Sequence, residues 1–221
     1  MKQSVVLQFI TPVLNIIVPR FCYNCGCWVI QRTVLCKPCA DRIRPVVSKE
    51  LIITATHSMR VHAVSAYEYP LKALILAKAQ ANRVASIHLG QLIWQMNASV
   101  LDFDIIVPIP LHWTRYAYRG YNQAEEMARV FAAQSKKPVM RLIKRTKRTV
   151  FQSKIPLAHR ADNVRDVFTL VSIKNKSQLY GKKILLVDDL MTTGSTFKYA
   201  AQKLLELKPA SITGVVACRV V

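Results

Sequence analysis

Two adjacent aspartates follow one of the most apolar stretches of the sequence. Residues 184–197 read ILLVDDLMTTGSTF, so four aliphatic residues lead into Asp188 and Asp189 and then into a hydroxyl-rich turn around Gly194. An uninterrupted apolar run predicts a buried strand of a parallel sheet, and ligands of such sheets bind beyond the carboxyl ends of the strands. The pattern therefore predicts a ligand site directly after this strand.

The turn after the acids has the composition of a phosphate site. Gly194 permits a positive φ angle, and Ser195, Thr196 and the first amide groups of the following helix point to one spot. Neighbouring carboxylates can bind sugar hydroxyls or a hydrated metal ion. We therefore predict a receptor for a ribose 5-phosphate. An ordinary helix cap is the alternative, but a cap needs only one of these side chains.

Five of the six cysteines lie in the segment CYNCGCWVIQRTVLCKPC. Cys22 with Cys25 and Cys36 with Cys39 form two C-x-x-C pairs, which predict a closed tetrahedral zinc site of structural type. Cys27 is an alternative ligand to Cys25, although the reach of a C-x-x-C loop favours Cys25. Disulfides or a redox pair are the other interpretations. The lack of an export signal argues against the first, and the second C-x-x-C pair argues against the other.

The charge of the chain is strongly unbalanced. Its 221 residues include 32 Lys and Arg but only 12 Asp and Glu, a formal net charge of +20, while the hydrophobic fraction of 52% excludes a disordered chain. Such a surface favours polyanionic partners, namely nucleic acid, anionic lipid or phosphorylated substrates. A generally basic proteome is the alternative explanation.

The first 21 residues, MKQSVVLQFITPVLNIIVPRF, are apolar but interrupted by Gln8, Pro12 and Asn15. This segment is too short and too polar for a membrane span and makes a poor signal peptide. We expect a short amphipathic helix that packs on the body, with contact to the inner face of the membrane as the alternative. The sequence thus predicts a cytoplasmic protein without a membrane span.

The remaining chain alternates between strand and helix patterns, which predicts an α/β domain with a mostly parallel sheet. The expected strands lie within 51–69 and at 105–107, 138–145, 166–171, 182–187 and 211–221. The expected helices cover 71–96, with a break near Asn82, 123–134 and 194–208, and a loop should follow Pro108. Two units result: an N-terminal helix with the four-cysteine module at 1–48, and the α/β domain at 49–221.

The segment ILLVDDLMTTGST resembles the signature of type I phosphoribosyltransferases. The double C-x-x-C module, VPIPLHWTRYAYRGYNQAEEMA, RTVFQSKIPLAHRADNVRDVF and this signature follow in an order similar to that of the ComF family, over nearly the whole chain. The resemblance implies a phosphoribosyltransferase-like (Rossmann-like) sheet flanked by helices, with a small zinc module. It implies a competence factor that handles incoming single-stranded DNA during natural transformation, with uptake helicases or recombination proteins as partners. An active phosphoribosyltransferase with an unidentified acceptor is the alternative.

The resemblance also implies a site for phosphoribosyl pyrophosphate (PRPP) or a close relative, together with Mg²⁺. Asp188 and Asp189 would bind the ribose. The 5′-phosphate would be held by Thr192, Thr193, Gly194, Ser195 and Thr196. The loop after the first parallel strand would bind pyrophosphate through Arg115 and Arg119, because Arg is suited to bidentate phosphate contacts.

The segment between Lys136 and Arg160 contains no acid. It falls where phosphoribosyltransferases carry a mobile loop, so it predicts either a basic lid over the site or an electrostatic track for a DNA backbone. The predicted nucleic-acid-binding residues are Arg141, Lys144, Arg145, Lys147, Arg148, Lys154 and Arg160. Tyr116, Tyr118, Tyr121 and Phe151, in neighbouring segments, are candidates for stacking on bases.

Overall fold

The computed structural model describes residues 21–29, 34–79, 83–146 and 167–221. The predicted N-terminal helix and the predicted break near Asn82 lie outside these residues. Within the described part of the chain, no helix is both long and apolar enough to cross a membrane.

The strands in chain order are β1 (Lys49–Ile52), β2 (Ser58–Ala66), β3 (Ile105–Pro108), β4 (Ile143–Arg145), β5 (Phe168–Leu170), β6 (Lys183–Val187), β7 (Leu190–Met191) and β8 (Ser211–Arg219). The main sheet has the order β1-β2-β8-β6-β3, with β7 also paired to β8. Only the edge pair β1–β2 is antiparallel in it. Strands β4 and β5 form a separate antiparallel pair.

The helices are α1 (Lys37–Ala40), α2 (Leu71–Ala79), α3 (Arg83–Asn97), α4 (Trp113–Arg119), α5 (Gln123–Ser135) and α6 (Ser195–Leu204). Short 3₁₀ turns cover Ala98–Val100, Lys176–Leu179 and Leu205–Leu207. The predicted fold class, a mostly parallel sheet with flanking helices, is confirmed.

Strand β6 shows why the sheet is covered on both faces. Its side chains alternate between two cores, with Leu185 and Val187 in one and Ile184 and Leu186 in the other. Helices α2, α3 and α5 fill the first core, and α6 fills the second. Burial on both faces explains the continuous apolar run that the sequence shows before the two acids.

The four-cysteine module packs against the first of these cores. Cys22, Leu35 and Cys39 belong to the same buried cluster as Val64 of β2 and Leu71 of α2. The described part of the module therefore shares a core with the sheet, and the division at residues 48 and 49 stays a prediction.

Two segments differ from the sequence-based expectation. The loop expected after Pro108 contains the helix α4, which is closed by caps at both ends. The extended segment expected at 138–145 is divided, because Val139 bridges to Ile106 whereas β4 pairs with β5. The short strand β7, directly after the two acids, was not predicted either. These features depend on contacts between distant residues, which local periodicity does not encode.

Candidate functional site

The two aspartates lie between β6 and β7, at the carboxyl edge of the parallel strands. The amide of Asp188 donates to the carbonyl of Val215 (3.1 Å), and the carbonyl of Asp189 accepts from the amide of Cys218 (3.3 Å). The amide of Asp189 also donates to Oδ1 of Asp188 (2.9 Å). Both residues are half-buried. Strand β8 therefore holds the backbone of the acid pair, and both carboxylates stay at the sheet edge where the sequence predicted a ligand.

The turn after the acids leads directly into α6. Gly194 has φ +87° and is the N-cap residue of the helix, and its carbonyl accepts from the amide of Lys198 (2.9 Å). The hydroxyl groups of Thr193 and Ser195 are 2.8 Å apart. The amide of Ser195 donates to the hydroxyl of Thr193 (3.4 Å), whereas the glycine cap itself supplies no side-chain oxygen. The partial positive charge of the helix start can serve an anion.

A positive pair of side chains stands close to the acids. The pKa of Arg145 lies below its usual value because burial disfavours its charge and because Arg115 is near, while Asp188 acts in the opposite direction. The guanidinium of Arg145 also lies 5.6 Å from the ring centroid of Phe168. The charges of Arg115 and Asp188 thus both act on the guanidinium of Arg145, in opposite directions. The DNA contact predicted for Arg145 stays a prediction, and its side chain is half-buried.

The other predicted basic residues have different surroundings. Arg141 forms a bidentate ion pair with Glu125, at 2.7 and 2.8 Å, and this pair raises the pKa of Arg141. Lys144 is exposed, and Arg119 is partly exposed at the end of α4. The predictions for Lys147, Arg148, Lys154, Arg160 and Phe151 lie outside the described residues.

The segment RGYNQ contains a structural contact that the sequence did not reveal. Asn122 caps α5 by accepting from the amide of Ala124 (3.1 Å) and donates from Nδ2 to the carbonyl of Ile109 (3.0 Å). It therefore ties the start of α5 to the end of β3 and fixes both ends of the loop that carries Arg115. An Asn directly before a helical pattern was the available signal. Tyr121, a stacking candidate, is buried.

The four predicted zinc ligands converge. The Sγ atoms of Cys22, Cys25, Cys36 and Cys39 all lie within 4.8 Å of one another. The separation between the Sγ atoms of Cys25 and Cys36 is 3.6 Å. Tetrahedral zinc with bonds of about 2.3 Å requires sulfur atoms about 3.8 Å apart, so the group fits such an ion. Cys27 is exposed and lies outside this group of four.

The crowding of these thiols changes the ionisation of Cys39. The amide of Asn24 donates to the Cys39 sulfur (3.2 Å) and lowers its pKa, but burial and the neighbouring thiols raise that pKa to about 12. Crowded thiolates repel one another, and a divalent cation removes this repulsion.

The sequence of the chain matches a known protein family. Residues 80–220 match the family model described as "Phosphoribosyl transferase domain". The chain is 32% identical over 105 residues to Competence protein F of Haemophilus influenzae, which covers 47% of this chain and 45% of that protein. It is 36% identical over 116 residues to Competence protein ComFC of Bacillus subtilis, which covers 52% of this chain and 44% of that protein. The matches thus span less than half the length of these two relatives.

A further relative is matched almost from end to end. The DNA utilization protein YhgH of Escherichia coli K12 is 26% identical, with 91% of this chain and 98% of that protein covered. Among solved structures, adenine phosphoribosyltransferase from Thermoanaerobacter pseudethanolicus aligns with 83% of this chain and 98% of its own, at 12% identity and a TM-score of 0.40.

The chain therefore belongs to the phosphoribosyl transferase domain family. With the four-cysteine cluster ahead of that domain and relatives of the competence type, it is a ComF family protein.

Proposed function

We propose that this protein handles single-stranded DNA during natural transformation and binds PRPP, or a related ribose phosphate, at the acid site. The observation that carries the ligand proposal is the placement of Asp188, with Arg115 and Arg145 nearby, directly before the helix that Gly194 opens. Competence and DNA utilization in the names of the relatives support the DNA role, as does the net charge of +20.

In this proposal, each part of PRPP is bound by residues whose charge complements it. The carboxylates of Asp188 and Asp189 accept hydrogen bonds from the two ribose hydroxyls. The first amides of α6 and the hydroxyl groups of the turn hold the 5′-phosphate. Arg115 and Arg145 face the pyrophosphate, and Arg119 extends the same positive surface. Mg²⁺, which prefers oxygen ligands, would be held by the same carboxylates and would offset the charge of the pyrophosphate.

The four-cysteine cluster has a structural role in this proposal. Zn²⁺ bound by Cys22, Cys25, Cys36 and Cys39 has no open coordination position for a substrate. Because Cys22 and Cys39 are buried in the core shared with β2 and α2, the ion would hold the module against the sheet. Its energetic contribution is to folding.

Single-stranded DNA would follow the basic surface outside the acid site. Lys144 belongs to this surface, and the segment from Lys147 to Arg160 is proposed to continue it. A location in the cytoplasm, at the inner face of the membrane, would place the protein where the strand arrives, next to an uptake helicase or recombination proteins.

The proposal is tested by calorimetry with PRPP and Mg²⁺, beside a titration with a labelled single-stranded oligonucleotide. The double variant Asp188→Asn/Asp189→Asn should lose at least tenfold in PRPP affinity, because charged hydrogen bonds contribute about 1.5–3 kcal/mol each. Its affinity for DNA should be retained. Asp102→Asn is the matched control, since Asp102 pairs with Lys183 at the opposite edge of the sheet. Unchanged PRPP affinity in the double variant would refute the ligand site, and a wild-type protein without DNA affinity would refute the DNA role.

A transferase reaction is the second candidate, and one cavity favours it. A space of about 410 Å³ lies where β2 ends, lined in part by Asp41, Arg42, Ser65, Glu68 and Tyr69. Carboxylates accept from amino groups and a phenol ring stacks on a heterocycle, so the cavity suits a nitrogenous acceptor.

The sheet register places this cavity near the acids. Ser65 pairs with Cys218, and Cys218 pairs with Leu190, the residue after Asp189. Two strand spacings amount to about 10 Å. Release of pyrophosphate from PRPP in the presence of a nucleobase panel would reveal the reaction, and Glu68→Gln should then change the acceptor preference. No release above that of the Asp188→Asn/Asp189→Asn variant would exclude the tested acceptors.

A further inference from the structure

Helix α4 exposes an unusual number of large aromatic side chains. Trp113 is 70% exposed, Tyr116 48% and Tyr118 87%. Among the described residues, the helix packs none of its seven side chains into a core. Large aromatic side chains gain free energy on burial, and clusters of them at a surface mark sites where another molecule binds. The composition of α4 is therefore explained by a ligand and not by the interior of the protein.

The helix is held at its ends. The Nδ1 atom of His112, which is buried, accepts from the amide of Thr114 (3.3 Å). At the other end Gly120, with φ +75°, donates from its amide to the carbonyl of Tyr116 (2.7 Å). Directly afterwards, Asn122 ties the chain to the end of β3. These contacts hold the backbone of α4, the platform that presents the three aromatic side chains to solvent.

The charges on α4 indicate which ligand the rings bind. Arg115 and Arg119 stand among the three aromatic residues, and the helix contains no acid. A molecule that combines flat apolar faces with regularly spaced negative charges fits this arrangement, because its rings stack on the aromatics while its phosphates contact the arginines. Single-stranded nucleic acid has this composition. This step rests on the DNA role proposed above.

Arg115 connects this platform to the acid site. The loop that leads into α4 begins beside the acids, because the amide of Ile109 donates to the carbonyl of Val187, the residue before Asp188 (2.9 Å). We propose that α4 is shared by two ligands, so that single-stranded DNA and the pyrophosphate group of PRPP bind in competition. A guanidinium engaged by one phosphate group is not available to a second. Each ligand then lowers the affinity of the protein for the other ligand by the same factor.

The competition is measured by fluorescence anisotropy of a labelled thymidine oligonucleotide, with PRPP and Mg²⁺ added in steps. For full competition, PRPP at ten times its dissociation constant raises the apparent dissociation constant of the DNA about elevenfold. In Asp188→Asn/Asp189→Asn the DNA should still bind, and PRPP should no longer displace it. Unchanged DNA affinity in wild-type protein saturated with PRPP would overturn the competition.

The platform is tested with Trp113→Ala and Tyr118→Ala. Each should weaken DNA binding about five- to 160-fold, as expected for one lost base stack, and leave PRPP affinity within about twofold. Trp113→Phe should retain most of the DNA affinity. A purely electrostatic site would bind DNA equally well in Trp113→Phe and in Trp113→Ala. Tyr180→Ala is the matched control, because Tyr180 is 48% exposed and has Lys208 over its ring at 5.7 Å.

The outcomes separate this inference from the proposed function. If Trp113→Ala and Tyr118→Ala bind DNA as tightly as Tyr180→Ala does, the platform is refuted while the DNA role stands. If the wild-type protein does not bind DNA, both fail. Heparin, a polyanion without bases, should bind equally well to wild-type protein and to both alanine variants. A parallel loss of heparin affinity would show that the substitutions disturb the arginines of α4 and do not remove a base stack, which would refute stacking.

Discussion

The two δ-carbon atoms of Leu51 lie 2.9 Å from the position that a Cβ atom on Gly194 would occupy. Leu51 belongs to β1, the antiparallel edge strand, whereas Gly194 ends the hydroxyl-rich turn and caps α6. The side chain of an edge strand thus rests on the backbone that presents the helix amides. The edge strand covers the turn, so a Cβ atom at residue 194 would require the Leu51 side chain to shift.

Gly194→Ala should therefore damage both the fold and the ligand site. The residue has φ +87°, where an L side chain costs about 1–2 kcal/mol, and the methyl group would also push Leu51 aside. We expect the free energy of unfolding in urea to fall by about this amount and PRPP affinity to fall with it. The double variant Leu51→Ala/Gly194→Ala should recover only the part of this loss that comes from the clash with Leu51. Wild-type stability in the single variant would contradict the strain argument.

Local patterns predicted the parts of this structure that depend on neighbours in sequence. The strand before Asp188 and the two C-x-x-C pairs are local features, and their positions agree with the structure. The helix α4 was expected to be a loop, because its stability comes from caps and not from an apolar face. The surroundings of Arg145 depend on contacts between distant segments, such as the pairing of β4 with β5. Single-sequence periodicity contains no information on such pairing.

The zinc site should distinguish Cys25 from Cys27. Cys25→Ser removes one of the four converging sulfur atoms, so metal analysis should show clearly less than one zinc per chain and the thermal midpoint should fall. Cys27→Ser should keep the metal. Cys218→Ser controls for the loss of a buried thiol elsewhere. If Cys27→Ser loses the zinc and Cys25→Ser retains it, the ligand assignment is reversed.

The pair formed by Arg141 and Glu125 should limit the contribution of Arg141 to DNA binding. Both nitrogen atoms of the fork are engaged, at 2.7 and 2.8 Å. Arg141→Ala should therefore change DNA affinity less than Lys144→Ala does. Glu125→Gln releases the arginine and removes a negative charge, so it should strengthen DNA binding and steepen its salt dependence by up to about 0.7 in the logarithmic slope. A weaker DNA affinity in Glu125→Gln would show that the ion pair between Arg141 and Glu125 positions the DNA-binding surface.

His62 should make stability depend on pH below neutrality. Burial, together with the charge of Arg60, lowers the pKa of His62 in the folded protein. The unfolded chain therefore takes up this proton first as the pH falls below about 6.5, and the free energy of unfolding decreases until the folded pKa is reached. His62→Gln should have a flatter pH profile in urea unfolding. His57→Gln retains His62 and should keep the wild-type profile, and an identical profile in all three proteins would exclude this cause.

The neighbouring residues Lys144 and Arg145 should affect different ligands. Successive residues of a strand point to opposite faces, and here Lys144 is exposed while Arg145 is half-buried beside Arg115 and Asp188. Arg145→Gln should weaken PRPP binding about tenfold or more, as expected for one lost charged hydrogen bond to the pyrophosphate, with a smaller effect on DNA. Lys144→Gln should weaken DNA binding and reduce its logarithmic salt slope by about 0.7, with PRPP affinity unchanged. Calorimetry and anisotropy on the two variants give four affinities. If both variants weakened DNA binding alone, the proposed role of Arg145 in PRPP binding would be wrong. If both weakened PRPP binding alone, the proposed role of Lys144 in DNA binding would be wrong.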